Sequence, residues 1–294
     1  MKLDMEHLCP VYLGHFRNRI ELAVKKLSAL NRGFRKFQTE ASFSIAELLT
    51  RVHHKNLVSP LGYHFESSSM TLIYEYMGPG SLRKYLSGIH FSNTQYNLWK
   101  QRIGIALDVA QGLEYLHNGC KTPIIQRDIK SANILLNEKN EKLQAKVADF
   151  GLSRSVPNED PAYLSTVVVG TCHYLDPKYF LTAGLSEEND VYGFGIVLLE
   201  LISGQPAVAK SSVGTVHLLQ CVPLLLLDTG EITAIVDPRL NIERFDIYSA
   251  RKLVGTAMAC VKCNSPKRPI MSDVADKLKQ CMNYLARTIG DAEE

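Results

Sequence analysis

Asp128, Lys130 and Asn133 stand at spacings of 0, +2 and +5 in the run Ile124-Ile125-Gln126-Arg127-Asp128-Ile129-Lys130-Ser131-Ala132-Asn133. Asp149 follows sixteen residues after the Asn, at the head of Asp149-Phe150-Gly151. Transfer of a phosphoryl group from a metal-bound nucleotide needs such a set. One carboxylate must accept a hydroxyl proton and a cation must meet the γ-phosphate. An amide and a second carboxylate must hold Mg²⁺ through hard oxygen atoms. Each piece alone is weak, since an isolated Asp is usually a cap or a solvated surface group. The ordered set is specific.

The elements that must position these residues are legible in outline. Apolar residues at 20, 22, 24 and 27 predict a strand over Ile20–Leu27, with Lys25 projecting from it. The stretch 34–52 reads as a helix. Leu72–Tyr76 reads as a second strand, closed by the strong punctuation of Gly78-Pro79-Gly80. Ile103, Ala106, Leu107, Ala110, Leu113 and Leu116 follow helical spacing and feed the Asp128 segment. Ala145–Ala148 reads as a short strand before Asp149. Phe194–Leu199 is apolar on all sides, as in a helix at the centre of a lobe. Helices then run to about residue 287, followed by an acidic tail expected to fray.

Composition narrows the function classes. A chain of 294 residues can bury a full core. Its formal net charge of +3 is too small to point to nucleic acid or a membrane surface. Seven cysteines show no disulfide-framework spacing, so reduced thiols in a cytosolic setting are expected. Cys260 and Cys263 form a C-x-x-C without a second pair or a nearby His, and read as buried apolar thiols. No stretch is apolar for the ~20 residues that a spanning helix needs.

The chain resembles the protein kinases, and among them the plant receptor-like serine/threonine kinases of the leucine-rich-repeat and malectin-like type. The resemblance rests on R-V-H-H-K-N-L-V (51–58), L-I-Y-E-Y-M (72–77), A-Q-G-L-E-Y-L-H-N-G-C (110–120), A-D-F-G-L-S-R (148–154), G-T-x-x-Y-L-D-P (170–177) and D-V-Y-G-F-G-I-V-L-L-E-L (190–201). It implies an α+β fold of two lobes. Residues 1–77 would form a small sheet-plus-helix lobe, lacking its first strand or two, and 78–294 a large, mainly helical one. It implies ATP and Mg²⁺ as cofactors, a protein substrate, and other receptor-like kinases as candidate partners. Asp128 resembles the catalytic base and Lys130 the cation that meets the migrating phosphoryl group. Asn133 and Asp149 resemble the Mg²⁺ ligands. Lys25, in A-V-K, resembles the Lys that pairs with the α- and β-phosphates, and its helix partner is Glu40 or, two turns along the same face, Glu47. Val11 and Ala23 would cover one face of the adenine and Leu135 the other. Tyr74 stands at the gatekeeper column, and the backbone of Glu75 and Met77 would bond the base. Ser165 and Thr166 are candidate phosphosites that could pair with Arg127, and Thr171 resembles the Thr that touches both Asp128 and Lys130.

The chain departs from the family at four places. Asp4, Glu6 and Cys9 stand where three glycines would let backbone N–H groups approach the phosphates. Gln126 replaces the loop His that packs beneath the Phe of Asp-Phe-Gly. Lys178 replaces a Glu expected to pair with Arg268, so that two cations would share one site. Residues 41–46 look like an insertion in the first helix. The chemistry-bearing residues survive and the nucleotide lid does not. The first reading is therefore a serine/threonine kinase, with a pseudokinase scaffold and a truncated gene product as alternatives. Full-length relatives would carry an ectodomain and a membrane span with the kinase domain in the cytoplasm. Neither segment is visible here, so the chain reads as a cytoplasmic or truncated form.

Overall fold

The computed structural model describes residues 2–4, 10–16, 20–28, 51–66, 69–88, 98–139, 142–156, 166–211, 214–229, 231–240 and 246–290. The helix predicted over 34–52 lies outside the described residues except for Arg51 and Val52, as does the acidic tail.

The first lobe is a five-stranded antiparallel sheet of β1 (Lys2–Asp4), β2 (Val11–Phe16), β3 (Ile20–Ser28), β4 (Pro60–Glu66) and β5 (Ser69–Glu75). Its spatial order is β1-β2-β3-β5-β4. The strand expected over 20–27 is β3, which lies between two neighbours. Lys25 pairs with Val11 on β2 and with Leu72 on β5. The expected loss of the first strand or two is corrected: both are present, and only β1 is short, at three residues. Its register runs Lys2↔Tyr12 and Asp4↔Val11, with a shift between them. Ladder bonds are made by backbone groups, so this pairing tolerates the loss of glycines that a phosphate would require.

The turn Gly78-Pro79-Gly80 closes through Gly80 N–H donating to the Met77 carbonyl at 3.1 Å. Gly80 takes a φ of +87°, which glycine adopts without a Cβ penalty. Beyond it lie β6 (Gly80–Ser81) and α1 (Leu82–Leu86), capped by the Ser81 hydroxyl. The helix predicted from residue 103 is α2 (Leu98–Glu114), which buries Ile103, Ala106, Ala110 and Leu113 completely. A π-helical turn over Tyr115–Gly119 ends it. β7 (Ile124–Ile125), β8 (Ile134–Lys139), β9 (Lys142–Val147) and β10 (Arg154–Ser155) follow, with β6-β8-β9 forming one small sheet and β10 pairing with β7.

The second lobe is built round α4 (Glu187–Ser203), reached through the short α3 (Pro177–Thr182). Every α4 residue from Asp190 to Ser203 is buried, as expected of a helix apolar on all sides. Burial of Phe194, Val197, Leu198 and Leu201 stabilises the lobe by roughly 1.5–3 kcal/mol each. A capping box between Ser186 and Asn189 starts α4, and Gly204, at a φ of 65°, ends it. The hairpin β11 (Val208–Ser211) and β12 (Gly214–His217), then α5 (Leu218–Thr229), α6 (Ile247–Cys260) and α7 (Met271–Gly290), complete the described chain. Cys260 is buried and its thiol is pushed up to about 12 by desolvation, whereas Cys263, just beyond the helix end, is exposed. The C-x-x-C is therefore not a buried pair, because α6 stops between its two members. Among the described residues no helix is long and apolar enough to cross a membrane.

Candidate active site

Asp190, in the first turn of α4, fixes the segment that bears Asp128. Its carboxylate accepts the N–H groups of Gln126 and Arg127, each at 2.8 Å, and lies 3.0 Å from His117 Nε2. These bonds hold Arg127 at a φ of 73°, a left-handed conformation rarely taken by a long side chain. The chain leaves that bend with Asp128 turned inward. Thr171 Oγ1 donates to Asp128 Oδ1 at 2.6 Å, and Asn133 Nδ2 donates to Oδ2 at 2.9 Å. Lys130 Nζ lies 2.8 Å from Asp128 Oδ2 and donates to Thr171 Oγ1 at 2.8 Å. Four residues singled out from spacing and resemblance thus meet in one hydrogen-bonded cluster, with Asp128 and Lys130 both buried.

Asp149 follows β9 in a left-handed conformation, with a φ of 57°. Lys25 Nζ reaches across from the first lobe to its Oδ1 at 2.6 Å, and Gly151 N–H donates to the same oxygen at 3.2 Å. The two candidate helix partners of Lys25, Glu40 and Glu47, lie outside the described residues. Asn133 and Asp149 suit a hard cation. The Asn133 amide nitrogen is engaged by the Asp128 carbonyl and carboxylate, each at 2.9 Å, so its oxygen is the atom left to a metal. With the Asp149 carboxylate this is an oxygen donor set of the kind Mg²⁺ takes. Among the described residues no three His, Cys, Asp or Glu side chains form another metal-ligand group.

The residues expected beside the adenine sit on neighbouring strands of the first sheet and on β8. Ala23 pairs with Leu13 on β2 and with Tyr74 on β5, two register steps from the Val11–Lys25 end of the ladder. Tyr74 and Leu135 pack against the buried cluster of Val58, Met77 and Ala148. Burial and the nearby Asp149 carboxylate push the Tyr74 phenol above its ordinary range, so it stays neutral. Glu75 N–H donates to the Ser59 carbonyl at 3.1 Å, so this part of the Glu75 backbone is not free for a base. The Glu75 carboxylate pairs with Lys146 Nζ at 2.7 and 2.8 Å.

Two of the departures from the family are answered by the geometry. Gln126 is fully buried and takes up a bridging position. Its Nε2 donates to the Ala148 carbonyl at 3.1 Å and the Asp149 carbonyl at 2.9 Å, while its Oε1 accepts Asp128 N–H at 2.7 Å. The expected clash of Lys178 with Arg268 is overturned. Arg268 is held in a fork by Asp176, at 2.6 and 2.8 Å, and also donates to the carbonyls of Glu188 and Lys262. Its guanidinium lies 4.9 Å from the centre of the Tyr192 ring. Lys178 is exposed and its Nζ donates to Ser265 Oγ at 2.8 Å. Asp176, two residues upstream, supplies the carboxylate that position 178 lacks.

Arg127 meets residues 166–179 through Nη2, which lies 3.4 Å from Thr166 Oγ1 and 2.8 Å from both the Val167 carbonyl and Tyr179 OH. Ser165 lies outside the described residues. Asp190, Asp176 and Glu200 had not been singled out by sequence. Asp176 carried a legible signal, an acidic residue directly before Pro177 at a helix start. Glu200 carried none. It is buried in the apolar α4, and its Oε1 accepts Tyr174 OH at 2.8 Å, Ser131 Oγ at 3.1 Å and Ala207 N–H at 3.0 Å. Desolvation nevertheless pushes its carboxyl up to about 7.

A family model described as protein tyrosine and serine/threonine kinase matches residues 2–278. The chain belongs to the protein kinase family. Its relatives among curated proteins include plant receptor-like kinases. One of Arabidopsis thaliana, named as a leucine-rich repeat receptor-like protein kinase, is 51% identical over 270 residues, covering 90% of this chain and 29% of that protein. Another, an LRR receptor-like serine/threonine-protein kinase of the same plant, is 46% identical over 282 residues, covering 95% of this chain and 30% of its own length. The chain thus spans about 30% of the length of the curated relatives it matches.

Proposed function

We propose that this chain is an ATP- and Mg²⁺-dependent serine/threonine protein kinase, with its catalytic groups gathered between a small lobe ending at Met77 and a large lobe from Gly78 onward. The observation that carries the reading is the closed cluster of Asp128, Lys130, Asn133 and Thr171. In it Asp128 takes the substrate hydroxyl in place of Thr171 and accepts its proton. The hydroxyl oxygen bonds to the γ-phosphorus, the bond to the β-phosphate oxygen breaks, and ADP leaves. Lys130, already beside Asp128 Oδ2, meets the phosphoryl group as it moves. Lys25 leaves Asp149 for the α- and β-phosphates, while Val11, Ala23 and Leu135 enclose the adenine and the backbone at Glu75 and Met77 orients it. Asn133 and Asp149 would hold Mg²⁺, which supplies charge neutralisation to the phosphates when bound.

A phosphate on Thr166 or Ser165 would be met by Arg127, whose Nε is buried without a hydrogen-bond partner among the described residues and whose neighbouring Nη2 already touches Thr166. Since the relatives' names describe receptor-like kinases, we place the work of this chain on the cytoplasmic face, acting on a protein substrate or on another receptor-like kinase. The test is phosphoamino-acid analysis after incubation with Mg²⁺-ATP. Phosphoserine and phosphothreonine in the native protein, absent from Asp128→Asn, are expected. Equal incorporation in the two would refute catalysis and favour a scaffold, and phosphotyrosine as the main product would refute the substrate class.

A further inference from the structure

We infer that Gln126 is a positioning residue, an amide clamp that sets the Asp128 segment against the backbone of Asp149. The inference rests on the proposed transfer reading only for its effect on rate. The geometry is independent of that reading.

The clamp consists of three bonds from one fully buried side chain, two donated to the successive carbonyls of Ala148 and Asp149 and one accepted from Asp128 N–H. The assignment of its oxygen and nitrogen is fixed by the partners. Flipping the amide would set its oxygen against two carbonyl oxygens and its NH₂ against an N–H group. Few residue types can make this set. A primary amide carries two N–H donors and an acceptor on adjacent atoms. A neutral imidazole has one donor and one acceptor, so His would leave at least one partner unbonded. An ionised carboxylate could accept from Asp128 but would face both carbonyls with like partial charge. Asn has the right groups on a stem one methylene shorter. Backbone bonds from Gln126 and Arg127 to Asp190 hold one side of the clamp against α4. The other side reaches the turn in which Asp149 Oδ1 accepts Gly151 N–H. Gln126 therefore couples the proton-accepting segment to the segment bearing Asp149, through neutral groups that do not titrate.

The test is amide hydrogen exchange at Asp128 and Gly151 in the nucleotide-free native protein, Gln126→Met and Gln126→Glu. Met keeps the length of the side chain and removes all three bonds, so both amides should exchange roughly five- to tenfold faster. Glu keeps the acceptor for Asp128 N–H and loses both donors, so Asp128 should stay within twofold of native while Gly151 quickens. A residue that only fills space would not split the two sites in this way. In the transfer assay both variants should lower kcat by about tenfold, with KM for ATP within twofold. Native exchange rates at both amides in Gln126→Met, or equal acceleration of both in Gln126→Glu, would overturn the clamp. If the native protein transfers no phosphate, the proposed function fails and the exchange pattern alone decides the clamp.

Discussion

Replacing Asp176 by Ala should be among the most damaging single changes in the large lobe, while Lys178→Glu should change little. The Arg268–Asp176 pair has side chains only 0% and 1% exposed. Removing the carboxylate strands a buried guanidinium, which costs roughly 3–5 kcal/mol. Two further bonds go with it, since Asp176 also caps α3 by accepting Lys178 N–H at 2.9 Å and accepts Asn189 Nδ2 at 3.1 Å. The two carbonyls and the Tyr192 ring that remain around Arg268 bring no counter-charge. At about 2.1 cal/mol/K per residue, an unfolding entropy near 0.6 kcal/mol/K follows for this length, so Tm should fall by about 5–8 °C. Lys178→Glu, by contrast, adds a carboxylate where the fork is already filled and removes one part-buried bond to Ser265, so its effect should stay within about 1 kcal/mol. Urea melts of the native protein and both variants at equal slope provide the comparison. A gain of several kcal/mol for Lys178→Glu, with Asp176→Ala near native, would refute the assignment of Asp176 as the partner.

Three further outcomes are expected. The folded carboxyl of Glu200, near 7, lies above its ordinary 4.5, so the folded state holds the extra proton between those values and its stability falls as pH rises through that window. Glu200→Gln should remove about 3 kcal/mol of that fall between pH 5 and 8, and parallel stability curves for the two proteins would contradict it. Mass spectrometry after autophosphorylation should find phosphate on Thr166 or Ser165, and Thr166→Ala should lower transfer several-fold, whereas an unmodified and fully active segment would argue against the Arg127 contact as a phosphate site. Glycine at positions 4, 6 and 9 should enlarge the thermal stabilisation by millimolar ATP, which grows as RT ln(1 + [L]/Kd), and low-micromolar ATP binding by the native protein would dispose of the lid argument.

The parts of the site carried by short spacings were legible in the sequence. Asp128, Lys130 and Asn133 lie within six residues of one another, so a single loop conformation brings them together, and Thr171 joins them as the G-T-x-x-Y-L-D-P motif implied. Lys25 and Asp149 were both named, yet their direct contact was not, since it depends on how β3 and the end of β9 face each other. The first error at Arg268 has a similar cause. A column-by-column reading placed its acid at 178, whereas the start of α3 lets the shorter Asp176 side chain reach the same guanidinium. Gln126 read as damage because the loss of His was visible and the three-way fit of an amide to two carbonyls and an N–H was not. Glu200 was hidden within an apolar run, where its partners Tyr174 and Ser131 come from distant segments. The sheet was better preserved than its missing glycines suggested, because strand pairing is a property of the backbone.

The most direct measurement of the central claim is the rate of phosphate transfer from Mg²⁺-ATP to a serine peptide by the native protein and by Asp128→Asn, both shown to be folded by their melting curves. Loss of the proposed proton acceptor should lower kcat by roughly 10²–10⁴-fold, with KM for ATP little changed, since in the proposed reading Asp128 meets the hydroxyl and not the nucleotide. Equal rates in the two proteins, or no transfer by the native protein under any magnesium concentration, would contradict the assignment of this cluster as a working phosphotransfer site.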